Sequence, residues 1–203
     1  IYFVANTTDE RVEVNCTFRV THSTPQLWDP VRAEIRSLPQ FTQLDKTTSV
    51  PMVFEPYQSF FVVFPRDGAS QPEADVDGAN FPEMTPVQTL EGPWAVAFDP
   101  KWGGPEHIVF NTLQDWTMHP ESGIKHYSGI AAYSKMFELA AQPGVRVYLD
   151  LGTVHDMARV HLNGKDLGVV WCAPWRIEIT DALKDGENAL KIEPDNYTAL
   201  FNF

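Results

Sequence analysis

The chain reads as all-β, a small β-sandwich followed by a larger one, on three observations. Hydrophobic residues recur with a period of two along many short runs, turn residues (Gly, Pro, Asn, Asp) separate those runs, and the one helical segment that stands out is a single turn long. Many short strands, each with one apolar side, bury that side by stacking into sandwiches or barrels.

The first run, Ile1-Tyr2-Phe3-Val4-Ala5, is apolar and strand-like. It opens without Met or a leader, so the expectation is that something upstream has been removed. From Val12 to Val20 the residues alternate, with Val12, Val14, Cys16, Phe18 and Val20 on one side and Glu13, Asn15, Thr17 and Arg19 on the other, the pattern of a half-buried strand. In Leu27-Trp28-Asp29-Pro30 a strand enters a turn, where Asp offers a capping oxygen and Pro a fixed φ. Thr48, Val50, Met52 and Phe54 repeat the period of two, and Phe60 to Phe64 form a buried last strand between Pro56 and Pro65. These elements define a first domain over residues 1–65. Residues 66–85 mix Gly, Pro and five acids with few branched apolar residues, which predicts a solvated linker.

The second domain, 86–203, holds strands at Trp94 to Phe98, Ile108 to Phe110, Ile130 to Leu139, Val145 to Leu151, Ala158 to Leu162 and Arg176 to Ile179. Asn163-Gly164 between two apolar flanks predicts a two-residue hairpin, because both residues tolerate a positive φ. Thr180 is placed to cap a helical turn through Lys184, stopped by Gly186 before a strand from Asn188 to Glu193. Pro194 cannot donate to a central ladder, so that last strand is expected to be short or at an edge.

Composition narrows the function. With 203 residues, 43% of them hydrophobic, the chain has enough apolar material for one large core or two small ones. A formal net charge of -12, with no basic cluster to offset it, argues against nucleic acid and anionic membrane surfaces as partners. No apolar run approaches the ~20 residues of a spanning helix. Cys16 and Cys172 fall in different predicted domains, so a disulfide framework is not expected.

Val147-Tyr148-Leu149-Asp150-Leu151-Gly152, Ala158 to Gly164, Leu167-Gly168, Pro174-Trp175-Arg176 and Ile179-Thr180 together resemble the sugar-binding domain of glycoside hydrolase family 2, a galactose-binding-like jelly roll. Tyr127 to Phe137 is similar to its early strand, and Leu183 to Leu190 to its closing turn and strand. Tyr2 to Asn6, Leu27 to Pro30 and Ser59 to Phe64 look like the β-domain that follows a glycosidase barrel. The combined order is similar to the C-terminal part of α-L-rhamnosidase-like proteins, glycoside hydrolase family 106. That resemblance implies a catalytic barrel before Ile1, carrying the catalytic carboxylates and a reported calcium, in a secreted or periplasmic parent protein. No catalytic residue is carried onto this chain. Glu178 stands where the pattern has Asp, and the end from Pro194 to Phe203 departs from the usual final strand.

No acid among the 27 sits in a motif that marks it, and no nucleophile elbow, zinc-binding helix or phosphate loop occurs. His155-Asp156 with His161, and His119 with His126, lack diagnostic ligand spacing, so no metal or cofactor is expected. A structural calcium held by loop carbonyls with Asp99, Asp195 or Asn196 would leave no trace in sequence. The candidates for carbohydrate contact are Trp102, Trp116, His126, Tyr127, Trp171, Trp175 and Arg176, since a sugar ring stacks on an aromatic face while polar neighbours bond its hydroxyls. Trp102, beside Gly103-Gly104, and Trp116 fall in loops, where exposure or packing against another domain is expected. Trp94 belongs to the core, and Trp175 matches a motif position that packs inside the sandwich. The reading ranks first an accessory region whose partners are carbohydrate and the parent's catalytic domain, then an autonomous carbohydrate-binding module, and last a stand-alone hydrolase.

Overall fold

The computed structural model of the chain describes residues 1–66, 78–154, 156–195 and 199–200. It is nearly all β, in antiparallel sheets, and divides into two compact units, Ile1–Thr85 and Pro86–Phe203.

The first unit contains β1 (Tyr2–Ala5), β2 (Val12–Phe18), β3 (Gln26–Asp29), β4 (Glu34–Ser37), β5 (Thr42–Leu44), β6 (Thr47–Phe54) and β7 (Ser59–Val63). One sheet has the order β1-β7-β3-β4 and the other β2-β6-β5. Their facing sides meet in a core of Phe18, Leu27, Val50, Met52, Phe54, Phe60 and Val62. Alternation along β6 and β7 supplies most of it, and each such side chain withdrawn from water contributes about 1.5–3 kcal/mol. Asp29 caps the turn after β3, its Oδ1 accepting from the Val31 and Arg32 amides at 2.9 and 3.2 Å. The alternation of β2 is only partly realised, because Val14 is exposed.

Residues 78–85, expected in a linker, return to this unit. Asn80 is buried, with its Oδ1 accepting from the Gln40 amide at 2.8 Å and its Nδ2 donating to the Pro51 carbonyl at 3.1 Å. Phe81 packs on Phe60. A composition rich in Gly, Pro and acids cannot register one Asn that satisfies the backbone of two distant segments. The rest of the expected linker, residues 67–77, lies outside the described residues.

The second unit contains β8 (Trp94–Ala97), β9 (Ile108–Phe110), the short helix α1 (Ser122–Lys125), β10 (Ala132–Glu138), β11 (Tyr148–Asp150), β12 (Thr153–Val154), β13 (Met157–Leu162), β14 (Lys165–Val170), β15 (Arg176–Glu178), β16 (Glu187–Asp195) and β17 (Ala199–Leu200). A six-stranded sheet of order β14-β13-β16-β10-β8-β9 dominates, with the pairs β11-β15 and β12-β17 beside it. Trp94, Val96, Tyr133, Val160, Leu162, Leu190 and Ile192 point into one core from alternate positions of the large sheet. Asn163 (φ 53°) and Gly164 (φ 82°) make the predicted hairpin between β13 and β14.

Two expectations for this unit are corrected. Thr180 does not cap the turn Thr180–Ala182; its Oγ1 accepts from the Val147 amide at 2.9 Å, tying that turn to the chain before β11. β16 is neither short nor at an edge, since it runs nine residues between β13 and β10. Pro194 is tolerated because β10 pairs with β16 only as far as Ile192, so the proline falls where only β13 is paired with it.

Candidate functional site

Two short 3₁₀ turns carry the loop tryptophans. Asp99 opens the turn Pro100–Trp102, its Oδ1 accepting from the Lys101 amide at 2.9 Å, and Asp115 opens Trp116–Met118 by accepting from the Thr117 amide at 2.7 Å. Trp102 then points to solvent, with 68% of its surface exposed. Next to it, Gly103 lies so close to Gly123 of α1 that a Cβ on Gly123 would sit 2.4 Å from the Gly103 carbonyl oxygen. This contact brings the Trp102 turn against α1, whose C-terminal neighbour His126 is exposed.

Trp116 and Tyr127 are not in that exposed group. Only 2% of Trp116 is exposed; its indole stacks parallel to Tyr133 and its Nε1 donates to the Tyr133 hydroxyl. Phe98 meets the Trp116 ring edge-on at 5.2 Å and the Tyr127 ring at 4.8 Å. The Tyr127 hydroxyl accepts from the Asp99 amide at 3.1 Å and donates to the Ile130 carbonyl at 3.0 Å. Both rings are covered by other aromatics, so neither offers a face to a sugar; the expectation that Trp116 is exposed or packs on another domain is overturned. Burial pushes the Tyr133 phenol far above its ordinary pKa, so the hydroxyl that accepts from Trp116 stays neutral.

The remaining candidates lie beyond β14. Trp171 is 56% exposed, while Trp175 is half-buried and packs against the core. Arg176 is committed to a cross-strand ion pair, its Nε donating to Asp150 Oδ2 at 2.5 Å where β15 pairs with β11. His119 stacks on Phe110 and accepts from the Glu121 amide, and His155 lies outside the described residues. Among the described residues no cluster of three His, Cys, Asp or Glu side chains is placed to hold a metal, and no helix is long and apolar enough to cross a membrane.

The solvent face of the six-stranded sheet carries a further feature that no local sequence signal marks. The registers align Val109, Ala95, Ser134, Lys191 and His161 in a row across five strands. Because Ala95 and Ser134 are small, the row has a trough, an open groove of about 790 Å³. At its edge Glu193 accepts from Lys191 at 2.7 Å and lies 3.0 Å from His161 Nε2, and the Lys191 hydrogen bond above all holds the Glu193 carboxyl below its usual pKa. Asp166 beyond it is also held low, first by the Gly168 amide. Alternation could have shown these residues to share a face, but not that the face was hollow.

No family model matches the sequence. A Formosa agariphila protein that carries a β-glucuronidase name is 36% identical over 110 residues, which are 53% of this chain and 10% of that protein. The solved structure of a rhamnosidase from Novosphingobium sp. PP1Y matches with a TM-score of 0.84 and 32% identity, covering 97% of this chain and 18% of that one. The aligned stretches make up 10% and 18% of those two proteins, so the chain spans only about a fifth of their length, and it is a region related to glycoside hydrolases.

Proposed function

We propose that the chain is a non-catalytic accessory region of a larger, α-L-rhamnosidase-like glycoside hydrolase of the family 106 kind, acting in polysaccharide breakdown, and that its second unit is a galactose-binding-like jelly roll. The extent of the structural match carries this reading: nearly the whole chain aligns, yet it fills less than a fifth of the rhamnosidase. The electrostatics agree with it. A glycosidase needs one carboxyl with a raised pKa to protonate the leaving oxygen. Glu193 and Asp166 are both shifted the other way. On this reading catalysis belongs to the parent's catalytic domain, and carbohydrate contact by this region falls to the exposed candidates Trp102, His126 and Trp171. The test is turnover of aryl rhamnoside, galactoside and glucuronide by the pure chain. None is expected; activity abolished by one acid-to-amide substitution here would overturn the reading.

The exposure of Trp102 and Trp171 favours a second reading, an autonomous carbohydrate-binding module. A single stacking aromatic with a few solvent-competing hydrogen bonds supports affinity of about 1 mM, roughly -4 kcal/mol. Titration calorimetry with rhamnose- and galactose-containing oligosaccharides separates the two readings. Micromolar binding lost in Trp102→Ala or Trp171→Ala, without unfolding, would promote the module over the accessory region.

A further inference from the structure

The first unit carries an apolar row on the solvent side of its four-stranded sheet. Pairing sets Phe3 of β1 beside Phe61 of β7, Phe61 beside Trp28 of β3, and Trp28 beside Ile35 of β4. One member comes from each strand, each out of phase with core residues such as Val62 and Leu27, and at the usual strand spacing the row is about 14 Å long. Phe3 is 62% exposed, Ile35 50% and Trp28 38%. The row is also pre-set: Trp28 Nε1 donates at 3.1 Å to Oε1 of Gln26, itself buried, and the Phe3 and Phe61 rings are in contact with centroids 5.3 Å apart.

Three occupants are conceivable for such a face, and the observations separate them. A polysaccharide chain stacks on coplanar rings, whereas Phe3 and Phe61 are inclined by 56°, leaving a ridge and a notch. A second copy would bring another net charge of -12 against this one, which opposes association. A neighbouring domain whose bulky apolar side chains fill the notch meets neither objection. The two proteins described above are each about five times its length, so material for such a neighbour is present in them. We infer that the Phe3–Phe61–Trp28–Ile35 row is the surface on which the first unit packs against the remaining part of a larger glycoside hydrolase polypeptide. The inference rests on the accessory-region reading and adds to it the face and the chemistry of the contact: apolar, interdigitated and free of ion pairs along the row.

Hydroxyl-radical footprinting tests it on two samples, the 203-residue chain and the polypeptide encoded by the complete reading frame that contains it. Phe3, Trp28 and Ile35 should oxidise readily in the first and lose most of that reactivity in the second. Equal reactivity in both would overturn the inference while leaving the accessory reading intact. A reading frame holding nothing outside residues 1–203 would remove both. Protection in the monomeric 203-residue chain itself would mean that the row is already covered, and would overturn the inference alone. So would a concentration-dependent dimer, seen by sedimentation and abolished by Ile35→Glu, which would install a second copy as the occupant.

Discussion

The Trp102 and Trp116 turns are built from the same local parts and end in opposite environments. Each is a three-residue 3₁₀ turn opened by an aspartate whose side chain accepts from the amide two residues on. Yet Trp102 is 68% exposed and Trp116 2%. The difference lies in what arrives from elsewhere: Tyr133 from β10 stacks on Trp116 and accepts its Nε1 hydrogen, while Phe98 and Tyr127 close its edges. Local chemistry thus sets the shape of both turns, and long-range packing sets which indole is core.

The comparison breaks most visibly at Trp116. Trp116→Ala removes an indole from the middle of an aromatic cluster and leaves the Tyr133 hydroxyl without its donor, and the expected cost is about 3–5 kcal/mol. Thermal unfolding followed by near-ultraviolet circular dichroism should show the second unit melting earlier or not folding. A melting temperature within error of the parent chain would mean that the cluster is not the core described here.

Gly104 lies after the first turn and touches the aromatic cluster of the second. A Cβ there would stand 2.5 Å from Phe98 Cβ and 2.8 Å from Tyr127 Cδ2, closer than side chains approach one another. Gly104→Ala should therefore cost about 1–3 kcal/mol by overpacking, less than emptying the Trp116 site because the rings can shift in part. Denaturant unfolding reads this directly, and an unchanged midpoint would show that the glycine is there for the turn alone.

The same division between local and distant determinants explains what was legible in the sequence. The all-β class, the Asn163-Gly164 hairpin, the Asp29 turn and the burial of Trp94 were all visible, because each follows from residues within a few positions of one another. Thr180 has the local signature of a cap for the same reason, but the amide of Val147, 33 residues earlier, engages its hydroxyl instead. Asn188 reads in the sequence only as the start of a strand. It is fully buried, and its Nδ2 donates to carbonyls of Leu139, Lys184 and Gly186 while its Oδ1 accepts from Lys184 and Asn163. No spacing rule announces a clamp whose partners come from three segments. Of the candidate site, the exposure of Trp102 was readable from its Gly-rich neighbourhood, whereas the burial of Trp116 and Tyr127 and the hollow on the large sheet depend on cross-strand registers.

The smallest effect is expected at Trp102, and it is the sharpest check on the comparison. Its turn is held by Asp99 and by backbone hydrogen bonds, the Trp102 amide to Asp99 and the Gly103 amide to Pro100, none of which uses the indole. Removing a mostly exposed ring leaves those bonds in place and opens no cavity, so Trp102→Ala should change stability by less than about 0.5 kcal/mol, the range of surface substitutions. The paired measurement is the melting temperature of Trp102→Ala beside that of Trp116→Ala in one buffer. If both fall alike, Trp102 must be covered in solution by something that leaves it bare here, and the contrast between the two turns would be lost. If only Trp116→Ala falls, an indole free of structural duty remains on the surface, available for contact with carbohydrate or with another part of a larger enzyme.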